Sequence, residues 1–312
     1  MPRITIHNCP ICGSSNTSKV FDAVDHFSTK EDFPVCDCLN CGFRFTNNFP
    51  SEDEIVRYYD SPDYISHSDS KKGLINQLYH FFRKRMLKKK VNLVSKYVLE
   101  SELSPQTDYK QPTRLLDIGC GTGYFLNETK EKGYIVSGIE KDKKTREYAI
   151  SNFDLDIKCE EELWEIENDY FDVITLWHVL EHIQSLNEVV SKINNILSPD
   201  GILVLALPNH SSYDAKKYKE YWAAYDIPRH LWHFTPDTLE KLLSKHKFKI
   251  IKKKTMPLDA FYISMLSEKY KGGNKFAQYL KAIIVGISGY LHSFSSINQS
   301  SSVIYIAKKS QK

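Results

Sequence analysis

Hydrophobic positions in the second half of the chain fall into short runs separated by windows of helical periodicity. Apolar runs of strand length occupy residues 114–118, 134–139, 155–158, 171–177 and 202–207. Between them, windows such as 143–151 and 186–197 repeat apolar residues every three or four positions. Two further strands are expected at 248–252 and 302–307. This alternation predicts an α/β fold with a doubly wound, mostly parallel sheet.

The first third of the chain shows a different pattern. Residues 1–48 contain short β-type stretches at 20–23 and 43–46 and are too few to bury a core of their own. Helical patterning begins at Ser51 and returns in a strongly basic stretch at 71–99, before a polar, proline-containing linker at 101–112. We predict a module at 1–48, a helical connection at 49–111, and an α/β domain at 112–312 with a helical insert at about 256–298.

Composition narrows the class of protein only a little. Apolar residues make up 41% and charged residues 26% of the 312 residues, which is ordinary for a globular protein. The net charge of +3 gives no strong overall attraction to nucleic acid or anionic membranes. The N-terminus lacks the apolar core of a signal peptide, and the apolar run at 282–291 is about half of the roughly 20 residues that a membrane span needs. We expect a cytoplasmic protein without a transmembrane segment.

A glycine-rich turn follows the first strand of the α/β region. After Asp117 come Gly119, Cys120, Gly121 and Gly123. Glycines let the backbone approach a ligand that any Cβ would exclude, and the helix that follows offers free amides to an anionic group. The GxGxG spacing differs from the GxGxxG spacing of nicotinamide sites and argues against a pyrophosphate ligand.

Acidic residues end the next two predicted strands. Glu140, followed by Lys141, can accept hydrogen bonds from the two hydroxyls of a ribose. Glu160 begins a run of three glutamates from which one carboxylate could take an adenine amino group. A solvated helix start explains that run equally well.

Five motifs together resemble class I S-adenosylmethionine-dependent methyltransferases: LLDIGCGTGYF, SGIEKD, FDVITLWHVLEHI, LSPDGILVLALPN and IPRHLWHFTP. The resemblance covers residues 112–252. It implies a Rossmann-like sheet of seven strands with the last antiparallel, and S-adenosylmethionine over the carboxyl ends of the strands. The glycine turn would then contact the methionine part and Glu140 the ribose. Trp177 and His178 would line the crevice, and Glu160 stands where an aspartate is more usual.

The segment 226–234 concentrates candidate acceptor-site chemistry after the fifth strand. A similar histidine-bearing stretch occurs in ubiquinone-pathway O-methyltransferases and in sugar C-methyltransferases. Methyl transfer needs a base only where the acceptor must lose a proton, and imidazole has a suitable pKa. We predict His230 as the base, with His233 and His178 as further catalytic candidates and Arg229 and Tyr225 as substrate-binding residues. The alternative is that His230 and His233 cap the following helix or fill the sheet edge.

Two CxxCG knuckles indicate a metal site in the N-terminal module. Cys9 and Cys12 form one pair and Cys38 and Cys41 the other. Four thiolates from two knuckles suit tetrahedral Zn²⁺, and a site with four sulfur ligands has no open position for water. We therefore predict structural zinc. Cys36 lies close in sequence but is expected to be a strand residue.

Three classes of function remain open from the sequence. The leading prediction is methyl transfer to a small molecule: a glycan, a sugar nucleotide, or an isoprenoid or lipid precursor. The second is an RNA methyltransferase that uses the zinc module and the basic helix, whose run 83–90 could contact phosphates or the surface of a membrane. A solvated charged face explains that run as well. The third is a non-catalytic protein that keeps the cofactor fold as a binding scaffold.

Overall fold

The computed structural model describes residues 3–59, 74–100 and 112–310, with side chains in the middle range from residue 84 onward. The N-terminal module contains five strands and a short helix: β1 (Arg3–Ile4), β2 (Thr17–Val24), β3 (Asp32–Cys38), β4 (Arg44–Thr46), β5 (Phe49–Pro50) and α1 (Glu52–Ile55). The predicted stretches at 20–23 and 43–46 belong to β2 and β4, whereas β3 was predicted only at Cys36, which was expected to be a strand residue. The basic stretch forms α2 (Leu74–Glu100). The predicted linker at 101–112 lies almost entirely outside the described residues.

The α/β domain follows the predicted alternation closely. Its first strands and helices are β6 (Arg114–Ile118), α3 (Tyr124–Lys130), β7 (Ile135–Ile139), α4 (Lys143–Phe153), β8 (Asp156–Lys158), β9 (Phe171–Trp177), α5 (Leu186–Ile196) and β10 (Leu197–Pro208). After these come α6 (Tyr213–Tyr218), β11 (Trp232–His233), α7 (Pro236–Lys245), β12 (Phe248–Thr255), α8 (Asp259–Lys271), α9 (Lys275–Ser295) and β13 (Ser302–Lys309). The predicted insert at 256–298 is the two-helix hairpin of α8 and α9.

Seven strands form the central sheet in the order β12-β13-β10-β9-β6-β7-β8. The strands from β10 to β8 are parallel, and β13 runs antiparallel to both β10 and β12. This is the sheet that the resemblance implied, so the predicted fold class is confirmed. The carboxyl ends of β6, β7, β8 and β9 therefore meet at one edge.

The module does not stand apart from the α/β domain. Its four-stranded sheet has the order β11-β4-β3-β2, so β11 of the domain is one edge of the module's sheet. Aromatic rings from both parts also share a core: Phe43 lies with its ring centre 6.1 Å from Trp232 and 5.4 Å from Phe234. The predicted shortage of core in residues 1–48 is met by packing against the domain.

None of the helices within the described ranges combines the length and the apolar content that a membrane span requires.

Candidate functional site

The glycine turn lies between β6 and α3 at the carboxyl edge of the sheet. Gly119, Gly121 and Gly123 all have positive φ, at 70°, 55° and 78°. A Cβ on Gly119 would meet Val179 Cγ2 at 2.5 Å, and one on Gly123 would meet Leu155 Cδ1 at 2.7 Å. A Cβ on Gly121 would meet nothing within 4 Å. Two of the glycines therefore allow close packing, and Gly121 faces open space at the end of β6.

Glu140 reaches back from the end of β7 to this turn. The backbone N–H of Gly121 donates to its Oε2 at 2.8 Å, and that of Asp142 donates to its Oε1 at 2.9 Å. Each carboxylate oxygen can accept a further hydrogen bond. Two of the predicted cofactor residues thus lie together, and Glu140 is fixed beside the open face of Gly121.

The other predicted cofactor residues have several different environments. Lys141 Nζ lies 3.0 Å from a Glu160 carboxylate oxygen and 3.7 Å from one of Glu52, so these charges neutralise one another in part. The Cys120 thiol is buried against Gly138, where an added Cβ would meet its Sγ at 2.7 Å. The same thiol donates to the Gly121 carbonyl oxygen at 3.8 Å, so Cys120 supports the turn from within the sheet.

Asp117 is buried within the sheet at the start of the turn. Thr175 Oγ1 donates to its carboxylate at 2.5 Å, and burial raises the pKa of Asp117 to about 7. Its side chain therefore ties β6 to β9 rather than projecting into open space. In a similar way, the backbone amide of Arg114 donates to the Asp172 carboxylate at 2.8 Å, which gives Asp172 a structural role.

Lys90 is a site residue that the sequence reasoning missed. It projects from α2 so that its Nζ lies 4.3 Å from the centre of the Trp177 ring, at the end of β9. Burial lowers the pKa of Lys90, and the charges of Asp117 and Asp259 act against that shift. In the described part of the chain its ammonium forms no ion pair, and the buried Trp177 Nε1 has no hydrogen-bond partner. Among the described residues, a half-buried cation without an ion pair and a buried donor without a hydrogen-bond partner therefore lie side by side near the glycine turn.

His178 occupies a strained position directly after β9. Its φ is 60°, in the left-handed region that non-glycine residues seldom adopt. Its Nδ1 lies 3.5 Å from Glu181 Oε1 and its Nε2 lies 3.8 Å from Asp259 Oδ2, the first residue of α8. Although burial opposes protonation, the Glu181 carboxylate raises the pKa of His178. The predicted crevice residue is thus placed between two carboxylates.

Next to His178 lies a cluster formed by the buried Glu181 and the half-buried His182 and His230. Their ligand atoms all lie within 4.8 Å of one another. Glu181 is fully buried, and neither of its carboxylate oxygens has a hydrogen-bond partner among the described residues. Burial and the charge of His230 lower the pKa of His182 to about 4, so that ring is neutral near pH 7. Because imidazole and carboxylate oxygen are ligands of divalent cations, this trio can also hold one.

The His230 ring is oriented by a single backbone contact. Its Nδ1 lies 2.9 Å from the carbonyl oxygen of Ala224, and since a carbonyl only accepts, Nδ1 carries the proton in the neutral ring. Its Nε2 then carries the free lone pair and lies 3.9 Å from Asp226 Oδ2. The residue predicted as base thus has one unprotonated nitrogen and a nearby carboxylate to stabilise the protonated ring.

Comparison with known proteins identifies the family. The family described as "Methyltransferase domain" matches residues 79–253, more than half of the chain. The chain belongs to this methyltransferase family.

Individual relatives match parts of the methyltransferase domain. A ubiquinone biosynthesis O-methyltransferase of Neisseria meningitidis serogroup C is 31% identical over 105 residues, covering 31% of this chain and 44% of the relative. One from Pelagibacter ubique is 27% identical over 142 residues, covering 44% and 58%. The chain thus spans about half the length of the curated relatives it matches.

Among solved structures, the Haemonchus contortus phosphoethanolamine N-methyltransferase 2 in complex with S-adenosyl-L-methionine has a similar fold. Its TM-score is 0.50 at 16% identity, and the match covers 86% of this chain and 63% of that one. At this identity the likeness concerns the fold alone.

Arg229 was predicted to bind substrate, but its side chain contacts the N-terminal part of the chain. Its guanidinium is buried, donates to Asp226 at 2.6 Å, to Asp25 at 3.1 Å and to the carbonyl of Tyr58 at 2.7 Å. These partners come from the N-terminal part of the chain as well as from the domain. Arg229 thus connects the two parts. Its N–H groups are not directed at the cleft, by which we mean the space between the glycine turn and the cluster of Glu181, His182 and His230.

Tyr225 and His233 likewise face the module. The Tyr225 hydroxyl accepts from Arg44 Nη1 at 2.7 Å, and its ring is buried. The Thr46 hydroxyl donates to the His230 carbonyl at 2.8 Å and accepts from His233 Nε2 at 3.0 Å. Burial also holds the pKa of His233 well below its usual value. The alternative placement of a histidine at a sheet edge therefore describes His233, while His230 turns toward the cleft.

The four predicted zinc ligands converge on one point. Cys9 Sγ lies 3.5 Å from Cys41 Sγ, Cys12 Sγ lies 3.5 Å from Cys38 Sγ, and all four sulfurs lie within 4.8 Å of one another. Tetrahedral Zn²⁺ with bonds of about 2.3 Å separates its sulfurs by about 3.8 Å. The four cysteines therefore fit a zinc ion, whose structural role remains a prediction.

The module positions the loop that carries His230. The backbone of β11 pairs with β4, Trp232 opposite Phe45 and His233 opposite Arg44. The Thr46 amide donates to the Leu231 carbonyl at 2.8 Å, and the Leu231 amide donates to the Glu181 carbonyl at 2.8 Å. The loop is thus held between the module on one side and the cluster on the other.

Proposed function

We propose that the chain transfers a methyl group from S-adenosylmethionine to a small-molecule acceptor. One observation carries the proposal: a free imidazole nitrogen, on His230, belongs to a cluster that adjoins the cofactor edge of the sheet through His178. A scaffold that only binds the cofactor would need no such cluster. The names of the O-methyltransferase relatives support a hydroxyl acceptor on a small molecule.

The residues at the cofactor edge fit S-adenosylmethionine. The open face of Gly121 would lie against its methionine part, Glu140 would accept from the ribose hydroxyls, and Lys90 would meet the carboxylate. Trp177 Nε1 needs a polar partner, since burial of such a group without a hydrogen bond is unfavourable. The Lys90 ammonium forms no ion pair within the described residues, and burial lowers its pKa, so a ligand carboxylate beside it would stabilise its charge. When bound, S-adenosylmethionine supplies an electrophilic methyl group on a sulfonium. Glu160 at the adenine remains a prediction.

His230 would act as the general base. Its Nε2 takes the proton of an acceptor hydroxyl, and Asp226 and Glu181 stabilise the resulting imidazolium. Because the pKa of His182 is lowered to about 4, His182 stays neutral and the positive charge remains on His230. The fully buried Glu181 keeps water from one side of the acceptor site, and the strained His178 holds the end of β9 beside it.

The test is calorimetric binding of S-adenosylmethionine and S-adenosylhomocysteine to the purified chain, with zinc quantified on the same sample. We expect micromolar binding of both. Gly121→Arg should abolish it, because the side chain enters the open space at the turn. Gly133→Arg is the matched control, since Gly133 also has positive φ (88°) and free space around its missing Cβ but lies at the opposite edge of the sheet.

Absence of binding to a folded, zinc-loaded chain would contradict the proposal and favour the non-catalytic alternative. Equal affinity of the Gly121 and Gly133 variants would remove the glycine turn from the site. Once binding is established, acceptor assays compare glycan and lipid precursors with RNA. Methylation of RNA alone would support the second class of function.

A further inference from the structure

The helical hairpin of α8 and α9 exposes large apolar side chains instead of burying them. On α9 eight such residues are 47–79% exposed: Phe276, Tyr279, Leu280, Ile283, Ile284, Ile287, Leu291 and Phe294. The side of α9 that packs inward carries small residues, among them Ala282, Gly286 and Gly289. A Cβ on Gly286 would meet Phe261 of α8 at 2.7 Å, so the two helices are closely packed. The large apolar residues therefore have no room on the inner side.

These residues form one continuous stripe. Phe276, Leu280, Ile283, Ile287 and Leu291 follow one another at intervals of three or four positions, which places them on one face of a helix. The stripe from Phe276 to Phe294 is about 27 Å long at 1.5 Å per residue. Leu258, which directly precedes α8, and Tyr262 and Met265 on α8 are 49–66% exposed at the same intervals. Apolar surface this extensive on a soluble domain marks an interaction site.

The charge around the stripe selects its partner. The sequence of α9 contains no aspartate or glutamate, and Lys275 and Lys281 are exposed on it. Lys269 and Lys271 are also exposed at the end of α8, whereas Glu268 is buried. A second copy of α9 would offer no carboxylate to these lysines. Anionic lipid headgroups would, and each lysine near such a surface contributes about 1 kcal/mol.

We propose that this hairpin face, defined by the exposed apolar residues of α8 and α9, lies in the headgroup region of an anionic lipid bilayer. An apolar face bordered by lysines with aromatic residues at both ends has the composition of helices that lie in this interface. The hairpin begins at the cleft, since Asp259 of α8 lies 3.8 Å from His178. Docking would therefore bring the cleft close to the bilayer. That orientation matters for the acceptor only if the proposed function holds, because a lipid-linked acceptor could then enter from the bilayer.

The test is co-sedimentation of the full chain with phosphatidylcholine vesicles, with and without phosphatidylglycerol. We expect binding that requires phosphatidylglycerol and weakens at high salt. A variant that combines Ile283→Ser, Ile287→Ser and Leu291→Ser should bind roughly tenfold or more weakly, because it lacks three apolar side chains that the bilayer would bury. The matched control combines Ile135→Ser, Ile150→Ser and Ile251→Ser, which are 43–51% exposed elsewhere and should leave vesicle binding unchanged.

Calorimetric affinity for S-adenosylmethionine is measured on the same variants and should not change, which shows that they are folded and separates this test from that of the proposed function. A wild-type chain that stays in the supernatant with phosphatidylglycerol vesicles would overturn the proposal. So would equal loss of binding in the control variant. Sedimentation equilibrium would instead assign the face to a second copy of the chain if the wild type and the control variant were dimers and the Ile283, Ile287 and Leu291 variant were a monomer.

Discussion

The cofactor edge and the 226–233 loop are built in opposite ways. Gly121 of the glycine turn and Glu140 lie 19 residues apart and are joined directly, by a hydrogen bond from the Gly121 amide to the Glu140 carboxylate. The loop contacts residues about two hundred positions away: Arg229 with Asp25, and the His230 carbonyl with Thr46. The first region is a property of one strand-turn-helix unit. The second depends on the docked module, so the placement of the proposed base depends on residues far away in the sequence.

The two regions also differ in how their charged groups are paired. Around Arg229, one guanidinium meets two carboxylates, so every group has a partner. Pairs of this kind fix geometry more than they add stability. At the cofactor edge Lys90 has no carboxylate partner among the described residues, and Asp117 is bonded by Thr175 alone. In the loop, the charge of Arg229 is paired with those of Asp25 and Asp226. At the cofactor edge, by contrast, the charge of Lys90 is available to a ligand.

Cys38→Ser should give the largest effect and divide the two regions. Loss of one thiolate should release the zinc, whose binding to small domains contributes about 10 kcal/mol or more to folding. Strand β4 would then no longer hold β11, and the turnover should fall at least as far as it does on direct loss of His230. Affinity for S-adenosylmethionine should fall much less. Zinc content, thermal unfolding, calorimetry and turnover on one preparation check this.

Cys36→Ser provides the control for that variant. Cys36 is buried in β3 two residues before Cys38 but lies outside the four-sulfur cluster. It should cost some stability while keeping one zinc per chain and most of the turnover. Full turnover of a zinc-free Cys38 variant would show that the module does not position the loop.

The same division explains what the sequence could predict. The strand pattern and the glycine motif depend on neighbours in the chain, and the seven-stranded sheet was predicted with most strands correct within a few residues. Strand β11 was not predicted, because two residues become a strand only by pairing with β4. The segment 226–234 has many histidine and arginine side chains, as an acceptor site would. The same composition serves an interface between two parts of a chain, and Asp25 as the partner of Arg229 leaves no trace near it in sequence.

Lys90 shows the complementary case. The sequence reveals a basic helix, and its charges suggested either phosphate contacts or a solvated face. Lys84, Arg85, Lys88 and Lys89 are indeed exposed. Only the docking of α2 against the sheet determines that Lys90 alone turns to Trp177. Helical periodicity offers one clue, since Lys90 precedes the buried Val91 and Val94 and borders the apolar face.

His230→Ala should have the second largest effect and should leave the cofactor edge intact. Loss of a general base lowers kcat by about 10²- to 10⁴-fold, while the affinity for S-adenosylmethionine should stay the same. His246→Ala is the matched control, because His246 is also half-buried and bonded to the protein, through Asn187 at 2.9 Å, but does not belong to the cluster of Glu181, His182 and His230. Steady-state kinetics check both variants. Normal turnover of the His230 variant would remove this residue from catalysis.

Lys90→Met should have the smallest effect of the three and should act on the opposite region. Charge-assisted hydrogen bonds contribute about 1.5–3 kcal/mol, so the affinity for S-adenosylmethionine should fall by roughly ten- to a hundredfold. Methionine keeps the packing against Trp177, and kcat at saturating cofactor should change little. Lys89→Met, on the exposed neighbour of the same helix, should leave the affinity unchanged.

A second ligand makes this prediction specific to the carboxylate. Methylthioadenosine keeps the adenosine and the sulfur of S-adenosylmethionine but lacks the amino acid, so its affinity should be the same for wild type and Lys90→Met. If both ligands lose affinity equally, Lys90 supports the cleft only by packing. If neither does, the buried ammonium belongs to the folded domain rather than to the cofactor, and the cofactor edge is then as self-contained electrostatically as the loop opposite it.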